Sequence, residues 1–326
     1  MNGVLTRGRP VGLALVLALA LTAFSVATGL GRQAEASSSA RCFGAASMNR
    51  EKACVNPRLR LTVRPTPEDA LLAPDAPCSP VATTPAVPQF CVFGTRPAAA
   101  VGSIALLGDS HASHWRATVD QVARSKRLVG VSLARAGCPY TTLVLTASEP
   151  VRTKCAPWFE SVAAWFTAHP EVSTVLISAH AGTNFPVPAG QNLFEAKVRG
   201  ARQAIERLPA SVKNVVILRD TPIITVATKD CVDRAIARRK PAGPACRRSR
   251  RGSLRPDSLA TAAKRMRSPR VRVVDLSSFM CGARSCLPVV GGVLVHKDTH
   301  HLTATFARTL GPYLRRDLTR LKVPLG

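Results

Sequence analysis

The sequence predicts an α/β domain in which a parallel sheet lies between two layers of helices, a three-layer doubly wound fold. Two observations carry this prediction. From Val101 onward, short apolar runs alternate with longer amphipathic stretches, and continuous apolar runs are typical of strands buried on both faces. Hydrophobic residues make up 46% and charged residues 20% of the 326 residues, which suits a sizeable core and excludes a disordered polyelectrolyte.

The alternation defines the individual elements. The predicted strands are Ser103–Leu107, Leu128–Leu133, Thr174–Ser178, Asn214–Leu218 and Val271–Val274. The predicted helices are His114–Ser125, Trp158–Ala168, Leu193–Leu208, Asp257–Arg267 and Thr303–Leu321. Functional sites in such sheets form at the carboxyl ends of the strands, so polar residues that directly follow a strand are the first candidates.

The residues before Val101 differ in composition from the rest. Residues 37–100 are rich in Pro, Ala and Thr and show little periodicity. Prolines interrupt any long element, at Pro74, Pro77, Pro80, Pro85 and Pro88. We interpret residues 37–100 as an irregular, disulfide-rich lead-in to the domain formed by residues 101–326, and not as a separate domain.

Residues 1–36 have the pattern of an export signal. Arg7 and Arg9 precede an uncharged run from Val11 to Leu30, and Ala34-Glu35-Ala36 supplies a small-residue cleavage site. We predict cleavage after Ala36. The alternative is an uncleaved anchor, because about 20 apolar residues also span a bilayer. In both cases the rest of the chain lies outside the cytoplasm, secreted or held by one N-terminal transmembrane segment.

The cysteines agree with an exported protein. There are ten, an even number, all beyond residue 36, which predicts disulfides in an oxidising compartment. Pairing of neighbours is the simplest scheme, although sequence alone leaves the connectivity open: Cys42–Cys54, Cys78–Cys91, Cys138–Cys155, Cys231–Cys246 and Cys281–Cys286. Zinc is the competing interpretation, but no C-x-x-C pair occurs.

The charge balance is strongly basic. Lys and Arg number 45 against 19 Asp and Glu, giving a net charge of +26, which favours anionic surroundings. Ten of the basic residues lie in Lys229–Arg255. This segment is either a solvated insertion loop closed by Cys231–Cys246 or a basic lip that attracts an anionic polymer. Export and the lack of interleaved aromatic residues argue against nucleic acid as a partner.

Ser110 is the first candidate for chemistry. The first predicted strand ends in Leu107-Gly108-Asp109-Ser110-His111, and a helix follows. A serine at such a turn presents its hydroxyl and its backbone N–H to the same cleft, which suits a nucleophile with one oxyanion donor. The alternative is an ordinary helix N-cap, for which Asp and Ser are preferred.

Asp298 and His301 supply the groups that a nucleophilic serine needs. They lie in Lys297-Asp298-Thr299-His300-His301-Leu302-Thr303, just before the last predicted helix. The spacing D-x-x-H lets one turn present a general base together with the carboxylate that orients it. A solvated helix-capping turn is the alternative.

Other histidines receive different interpretations. His111 and His114 are read as structural or substrate-side groups, and His180 ends the third predicted strand and can line the cleft. His296 and His300 have a spacing that binds metal on a helix, but they straddle a predicted loop. We therefore predict no metal and no cofactor.

Two blocks carry a resemblance to a known family. Leu106-Leu107-Gly108-Asp109-Ser110-His111-Ala112-Ser113-His114-Trp115 and Asp298–Thr303 together resemble the SGNH (GDSL-type) hydrolase superfamily. They are closest to the extracellular SGNH domain fused to bacterial membrane O-acyltransferases. Weaker blocks extend the resemblance over roughly Cys91 to Leu321: Cys91-Val92-Phe93-Gly94, Ala136-Gly137-Cys138-Pro139, Val274-Asp275-Leu276, and Cys281 with Cys286.

The resemblance implies a flavodoxin-like SGNH fold and a set of roles. Ser110 would be the nucleophile, His301 the general base and Asp298 its orienting carboxylate. Gly137 matches the glycine whose N–H is the second oxyanion donor beside that of Ser110. Asn184 is a weaker candidate for the third donor, because Gly182-Thr183-Asn184 supplies G-x-N but Phe185 replaces the Asp of the family block.

The function that follows is serine-dependent acyl transfer on ester-bearing glycans of the bacterial cell envelope. The acyl group would pass from an acyl-enzyme to water, as in an O-acetylesterase, or to a sugar hydroxyl, as in an O-acetyltransferase. The one long apolar run excludes a multi-span protein, so a multi-span membrane acyltransferase would be a separate partner. The alternatives are a non-catalytic module that binds envelope glycan through Lys229–Arg255, and a metal-dependent hydrolase.

Overall fold

The computed structural model describes residues 41–81 and 89–325. The predicted signal or anchor, residues 1–36, lies outside the described residues. Within the described ranges no helix is both long enough and apolar enough to cross a membrane.

The predicted doubly wound architecture is confirmed by a seven-stranded, mostly parallel sheet in the order β1-β2-β4-β3-β5-β6-β8. The strands, in chain order, are β1 (Ser79–Pro80), β2 (Cys91–Gly94), β3 (Gly102–Gly108), β4 (Leu128–Ala134), β5 (Thr174–Ser178), β6 (Asn214–Leu218), β7 (Arg248–Ser249), β8 (Val271–Val274), β9 (Ser285–Cys286), β10 (Val289–Val290) and β11 (Val293–Leu294). The five predicted strands correspond to β3, β4, β5, β6 and β8, which are parallel to one another.

The lead-in contributes two strands that the sequence pattern did not indicate. Strand β2 pairs antiparallel with β4, and β1 pairs antiparallel with β2 at the edge of the sheet. Both are too short to show an alternating pattern. Pro80 is tolerated because an edge strand has one side without ladder partners. The Cys78–Cys91 disulfide joins the two strands.

The helices cover both faces of the sheet. They are α1 (Pro67–Leu72), α2 (Ser110–Ser125), α3 (Val151–Ala168), α4 (Leu193–Glu206), α5 (Val226–Ala237), α6 (Ala242–Ala245), α7 (Arg250–Ser253), α8 (Ser258–Met266), α9 (Ala304–Thr309) and α10 (Gly311–Arg320). Among the described residues, five short 3-10 helices lie at Gly44–Met48, Pro57–Leu59, Pro97–Ala99, Thr142–Leu145 and Ser277–Phe279.

Three of the predicted helices differ from the observed ones, two in where they begin and one in being divided. Helix α2 begins at Ser110 and not at His114, because the Asp109 side chain caps it. Helix α3 begins before Pro157, which lies inside it. The single helix predicted from Thr303 to Leu321 is two helices that meet at Leu310, since Pro312 occupies the first turn of α10, where its missing N–H costs nothing.

Alternate residues of each central strand face opposite layers. In β3, Ala105 and Leu107 join the core that α3, α4 and α8 cover. Ile104 and Leu106 are fully buried on the other face, where α2, α9 and α10 pack. Burial on both faces is the reason that the strands are apolar throughout.

All ten cysteines form disulfides in the structure, in the five neighbouring pairs. The Cys138–Cys155 bridge ties the turn after β4 to α3. The Cys231–Cys246 bridge ties α5 to the residue after α6. The loops of Pro- and Gly-rich sequence are thereby fixed to the regular elements.

The interpretation of Lys229–Arg255 as an insertion loop is wrong, although the Cys231–Cys246 bridge expected to close it is present. The segment holds most of α5, all of α6 and α7, and the strand β7, which pairs with β9. Its apolar residues are buried together: Val232, Ala235 and Ala242 pack with Ala70, Val289 and Leu294. Only one face of α5 is buried, since Ile236 on the same helix is exposed.

Gly108 offers a test of how closely β3 and β5 approach. Its φ is 140°, and a Cβ there would lie 1.9 Å from the Ser178 carbonyl oxygen. We expect Gly108→Ala to lower the free energy of unfolding by roughly 3 kcal/mol or more, from strain plus overpacking. Urea denaturation measures this loss.

Gly190→Ala is the matched control. Gly190 also has a positive φ, of 80°, but no atom lies within 4 Å of an added Cβ. We expect a loss of about 1 kcal/mol, from backbone strain alone. Equal losses for the two variants would contradict a steric role for the contact between Gly108 and Ser178.

Candidate active site

Ser110 lies at the carboxyl end of β3, where the chain turns into α2. Asp109 is the N-cap of the helix, and its Oδ1 accepts a hydrogen bond from the backbone N–H of His111 at 2.8 Å. As the first helical residue, Ser110 has no intrahelical partner for its own N–H. Its hydroxyl and its N–H are thus both available at the edge of the sheet.

The C-terminal turn brings His301 and Asp298 to this serine. His301 Nε2 lies 2.8 Å from Ser110 Oγ, and His301 Nδ1 lies 2.6 Å from Asp298 Oδ2. The second carboxylate oxygen, Asp298 Oδ1, accepts the backbone N–H groups of His300 and His301. The three residues that the sequence nominated therefore form one continuous hydrogen-bonded chain.

The electrostatics of Asp298 suit an orienting carboxylate. Partial burial works against its charge, but the hydrogen bonds from His301 and from two backbone N–H groups outweigh burial and hold the pKa of Asp298 well below its ordinary value. The carboxylate stays ionised at every pH at which a histidine can act as a base. A charged Asp298 fixes the His301 tautomer with its proton on Nδ1, which leaves Nε2 free to accept the Ser110 proton.

A second aspartate–histidine pair lies beside the first. His111 Nδ1 is 2.5 Å from Asp220 Oδ1, and His111 Nε2 is 2.9 Å from His300 Nδ1. His111 is completely buried and Asp220 is 4% exposed. Burial disfavours the imidazolium, but the Asp220 charge and hydrogen bond prevail and raise the pKa of His111.

His180 completes a stack of rings at the site. Its ring lies 4.4 Å from that of His111 and 4.6 Å from that of His300, nearly parallel to both. Burial and the neighbouring histidines lower the pKa of His180 to about 4. The sequence-based placement of His180 in the cleft agrees with this position.

Two further histidines are structural. His114 is 4% exposed, and its Nδ1 accepts the backbone N–H of Leu302 at 3.4 Å. Burial holds the pKa of His114 well below its ordinary value. His296 is 2% exposed, and burial lowers its pKa to about 4. Both rings are neutral near pH 7, and the His114 ring contacts the turn that carries His301 through Leu302.

Buried carboxylates join the strand ends to one another. Asp109 Oδ2 accepts the backbone N–H of His180 at 2.9 Å. Asp220 Oδ2 accepts that of Ala181 at 2.7 Å, and Asp257 accepts that of Asp220 at 2.8 Å. These bonds fix the ends of β3, β5 and β6 relative to one another.

The two sequence-nominated oxyanion residues differ in position. Gly137 lies in the turn after β4, the strand next to β3, and has a positive φ of 76°. That turn is held by the Cys138–Cys155 bridge. Asn184 is exposed in the loop after β5, whereas the following residue, Phe185, is buried in the core.

Sequence reasoning missed Asp220 and the pairing of His111 with His300. Asp220 comes two residues after the end of β6, at the carboxyl edge where sites form, and this position was the available signal. His300 lies in the same block as Asp298 and His301, but the D-x-x-H spacing points to His301. Nothing in the sequence indicates that His300 meets His111, which is 189 residues earlier in the chain.

Two groups of side chains have metal-ligand spacing. They are His111 with His300 and His301, and His111 with His114 and Asp220; within each group the ligand atoms lie within 4.8 Å of one another. The ring nitrogens of His111 and the Nδ1 atoms of His300 and His301 already bond to protein groups. These donor atoms are therefore already engaged in hydrogen bonds within the protein.

Fold and site together define an α/β domain with a serine–histidine–aspartate chain at the carboxyl edge of its sheet. A family model described as "SGNH domain (fused to AT3 domains)" matches residues 77–316, and the chain belongs to this family. No curated protein matches the sequence.

A solved structure shares the fold. It is the periplasmic domain of the lipopolysaccharide acetyltransferase of Salmonella ser. Paratyphi A, with a TM-score of 0.52 and 10% sequence identity. The likeness covers 67% of this chain and 83% of that domain. At 10% identity, the comparison shows a shared fold and nothing further.

The histidine environments predict a distinctive titration. We expect His180 and His296 to be neutral by pH 6, since their pKa values are about 4. His111 should keep both ring protons beyond the ordinary histidine value of 6.5, because Asp220 stabilises its charge. Nitrogen NMR of the histidine rings, assigned with single His→Gln variants, measures each titration. A His111 ring that loses its charge before the His180 ring would contradict the pairing with Asp220.

Proposed function

We propose that the protein catalyses acyl transfer through an acyl-enzyme on Ser110. The observation that carries the proposal is the chain from Ser110 Oγ to His301 Nε2, at 2.8 Å, and from His301 Nδ1 to Asp298, at 2.6 Å. A serine hydroxyl is a weak nucleophile unless a base within hydrogen-bond reach takes its proton. Membership of the SGNH family supports the assignment.

The first bond-forming step uses these three residues. His301 Nε2 accepts the proton of Ser110 as Oγ attacks an ester carbonyl, and Asp298 stabilises the resulting imidazolium. The backbone N–H groups of Ser110 and Gly137 are the proposed donors to the oxyanion. Each donor of this kind typically stabilises the transition state by about 3–4 kcal/mol. Two donors therefore account for a large part of the rate acceleration.

The proposed substrates are O-acetyl esters of cell-envelope glycans. The family description names fusion to AT3 domains, and the solved neighbour is named as a lipopolysaccharide acetyltransferase domain. Five disulfides indicate an oxidising, extracytoplasmic compartment. The acyl group passes either to water or to a sugar hydroxyl, and a separate multi-span membrane acyltransferase is the proposed source in the second case.

Cationic groups near the cleft favour an anionic glycan. Arg255 lies against Gly182 in the loop after β5, close enough to influence His180. Arg247 and Arg251 are exposed on the same basic segment, Lys229–Arg255, whereas Arg248 and Arg250 donate to Thr225 and to the Gly282 carbonyl. The free charges of this segment attract an acidic polymer without touching the reacting atoms.

Replacing the nucleophile gives the first test of function. We expect Ser110→Ala to lower serine-dependent acetyl-ester turnover by more than about 10⁴-fold, because no acyl-enzyme can form. Release of acetate from O-acetylated envelope glycan, with and without unacetylated glycan as acceptor, is the measurement. Ser125→Ala, at the far end of the same helix, is the control and should leave turnover unchanged.

If the protein is instead a non-catalytic module that binds glycan, the arginine variants should lose more function than Ser110→Ala. Neutralising exposed Arg247 and Arg251 would then abolish function, measured as glycan retention, while Ser110→Ala would have no effect. That result would contradict the proposed chemistry.

Asp298→Asn isolates the orienting carboxylate. The amide keeps the shape of the side chain but no longer stabilises the required His301 tautomer, so we expect kcat to fall by about 10⁴-fold with little change in KM. The control is Asp275→Asn, which removes a partly exposed carboxylate paired with Arg219. A loss of less than tenfold for Asp298→Asn would show that His301 does not depend on Asp298.

A further inference from the structure

The exposed apolar side chains of the protein are concentrated on two neighbouring elements. Among the described residues, six of the seven large hydrophobic side chains that are exposed belong to the lead-in or to helix α5: Val55, Leu61, Leu71, Leu72, Val226 and Ile236. The seventh, Val101, precedes β3. Single exposed apolar residues are ordinary on a folded domain, whereas a concentration of them marks a surface that contacts another molecule or a membrane.

The lead-in and α5 form one surface. Helix α1 packs against α5, and Ala70 of α1 shares a buried apolar cluster with Val232 of α5. Val55 lines a groove together with Pro244 of α6, which follows α5 in the chain. We call the surface formed by residues 55–72 and 226–240 the α1–α5 face.

The α1–α5 face is basic as well as apolar. Its exposed cationic side chains number seven, and within the described ranges none of them forms an ion pair: Arg58, Arg60, Arg64, Arg234, Arg238, Arg239 and Lys240. Its exposed carboxylates number four: Glu68, Asp69, Asp230 and Asp233. The face therefore keeps a net positive charge that is free to attract an anionic partner.

Two contacts connect the α1–α5 face to the turn 297–301, which carries the candidate base. Asp75, shortly after α1, pairs with Lys297 at 2.6 Å. Just before α5, Ile224 donates its backbone N–H to the Thr299 carbonyl at 2.8 Å. A partner that holds this face therefore lies beside the turn of the candidate active site.

We propose that the α1–α5 face docks the protein on the surface of an anionic lipid bilayer, with the Ser110 site next to the membrane. The exposed leucines of α1 enter the boundary between head groups and acyl chains, and the basic side chains contact lipid phosphates. Apolar burial and attraction to anionic lipid together give peripheral membrane binding. The docking goes beyond the acyl-enzyme chemistry and does not depend on it.

The mixture of side chains favours lipid over a protein partner. Leu61 directly follows Arg60, and Ile236 lies between Arg234 and Arg238 on α5 and the residue after it. The centre of a protein–protein interface is depleted of charged residues. Surfaces that lie in the membrane interface instead combine apolar side chains with Lys and Arg.

A fluorescent reporter at position 72 tests the contact. The full chain with Leu72→Trp is mixed with vesicles of phosphatidylglycerol and phosphatidylcholine, whose acyl chains are either brominated, and so quench indole emission at short range, or unbrominated. The substitution disturbs no packing, because Leu72 is 81% exposed. The native tryptophans give a constant background, since Trp115, Trp158 and Trp165 are at most 4% exposed.

The expected result is quenching that depends on anionic lipid. We expect bromination to remove at least about half of the emission of the indole at position 72, because interfacial side chains reach roughly 5–10 Å into the boundary region. Vesicles of phosphatidylcholine alone should quench it much less, since they lack the anionic head groups that attract the face. Val101→Trp is the control for position. Val101 is 60% exposed but lies at the amino edge of the sheet, and an indole there should not be quenched.

Two matched sets of variants test the charge, each in the chain that carries Leu72→Trp. The first set removes three cations from the α1–α5 face and should reduce quenching to the level seen in phosphatidylcholine: Arg238→Gln, Arg239→Gln and Lys240→Gln. The second removes three exposed cations near Val101 and should leave quenching unchanged: Arg96→Gln, Lys126→Gln and Arg127→Gln.

Three results would overturn the lipid contact: no quenching at position 72, equal quenching at positions 72 and 101, or quenching that is as strong without anionic lipid. A blue shift of the indole at position 72 that follows protein concentration without vesicles would assign the face to a second copy of the chain. Quenching only in the presence of a co-reconstituted multi-span acyltransferase would assign it to that protein. Both of these results also overturn the proposal. Turnover that depends on Ser110, measured on the same samples, reports separately on the proposed function.

Discussion

Buried carboxylates at the strand ends are the constraint on which the site depends. Asp109, Asp220 and Asp257 each accept a backbone N–H from a different loop, so three loop positions are fixed by hydrogen bonds to charged groups. Burial raises the pKa of Asp109 and of Asp257, which expresses the cost of keeping these charges away from water. The backbone donors offset that cost. The serine, the stacked histidines and the loop after β5 all take their positions from this network.

Two aspartate–histidine pairs at one sheet edge have different surroundings and therefore different properties. Asp298 and His301 are partly exposed on a tight turn. Asp220 and His111 are buried, and the low local polarity makes their mutual attraction strong and their separation costly. Similar chemical groups thus give one pair that contacts the Ser110 hydroxyl and one that lies inside the domain.

Sequence reasoning succeeded where the information was local. The parallel strands follow from apolar runs that must be buried on both faces, and Ser110, Asp298 and His301 stand in short motifs. It failed where the information was long-range or weak. The edge strands β1 and β2 are too short to show a period, and helix α5 opens a segment whose charges, prolines and glycine favoured a loop. Asp220 belongs to no motif, and its pairing with His111 is visible only in the folded chain.

The disulfides have a consequence for how the chain is made. The ten cysteines pair consecutively along the sequence, the first with the second, the third with the fourth and so on, across separations of 5 to 17 residues. No bridge therefore crosses another. A chain that enters an oxidising compartment N-terminus first presents both members of a pair before the next pair appears. Oxidation in order of emergence therefore gives the native connectivity directly. A protein with this arrangement depends little on an isomerase to exchange wrong bridges, since the nearest available thiol is the correct one at every stage.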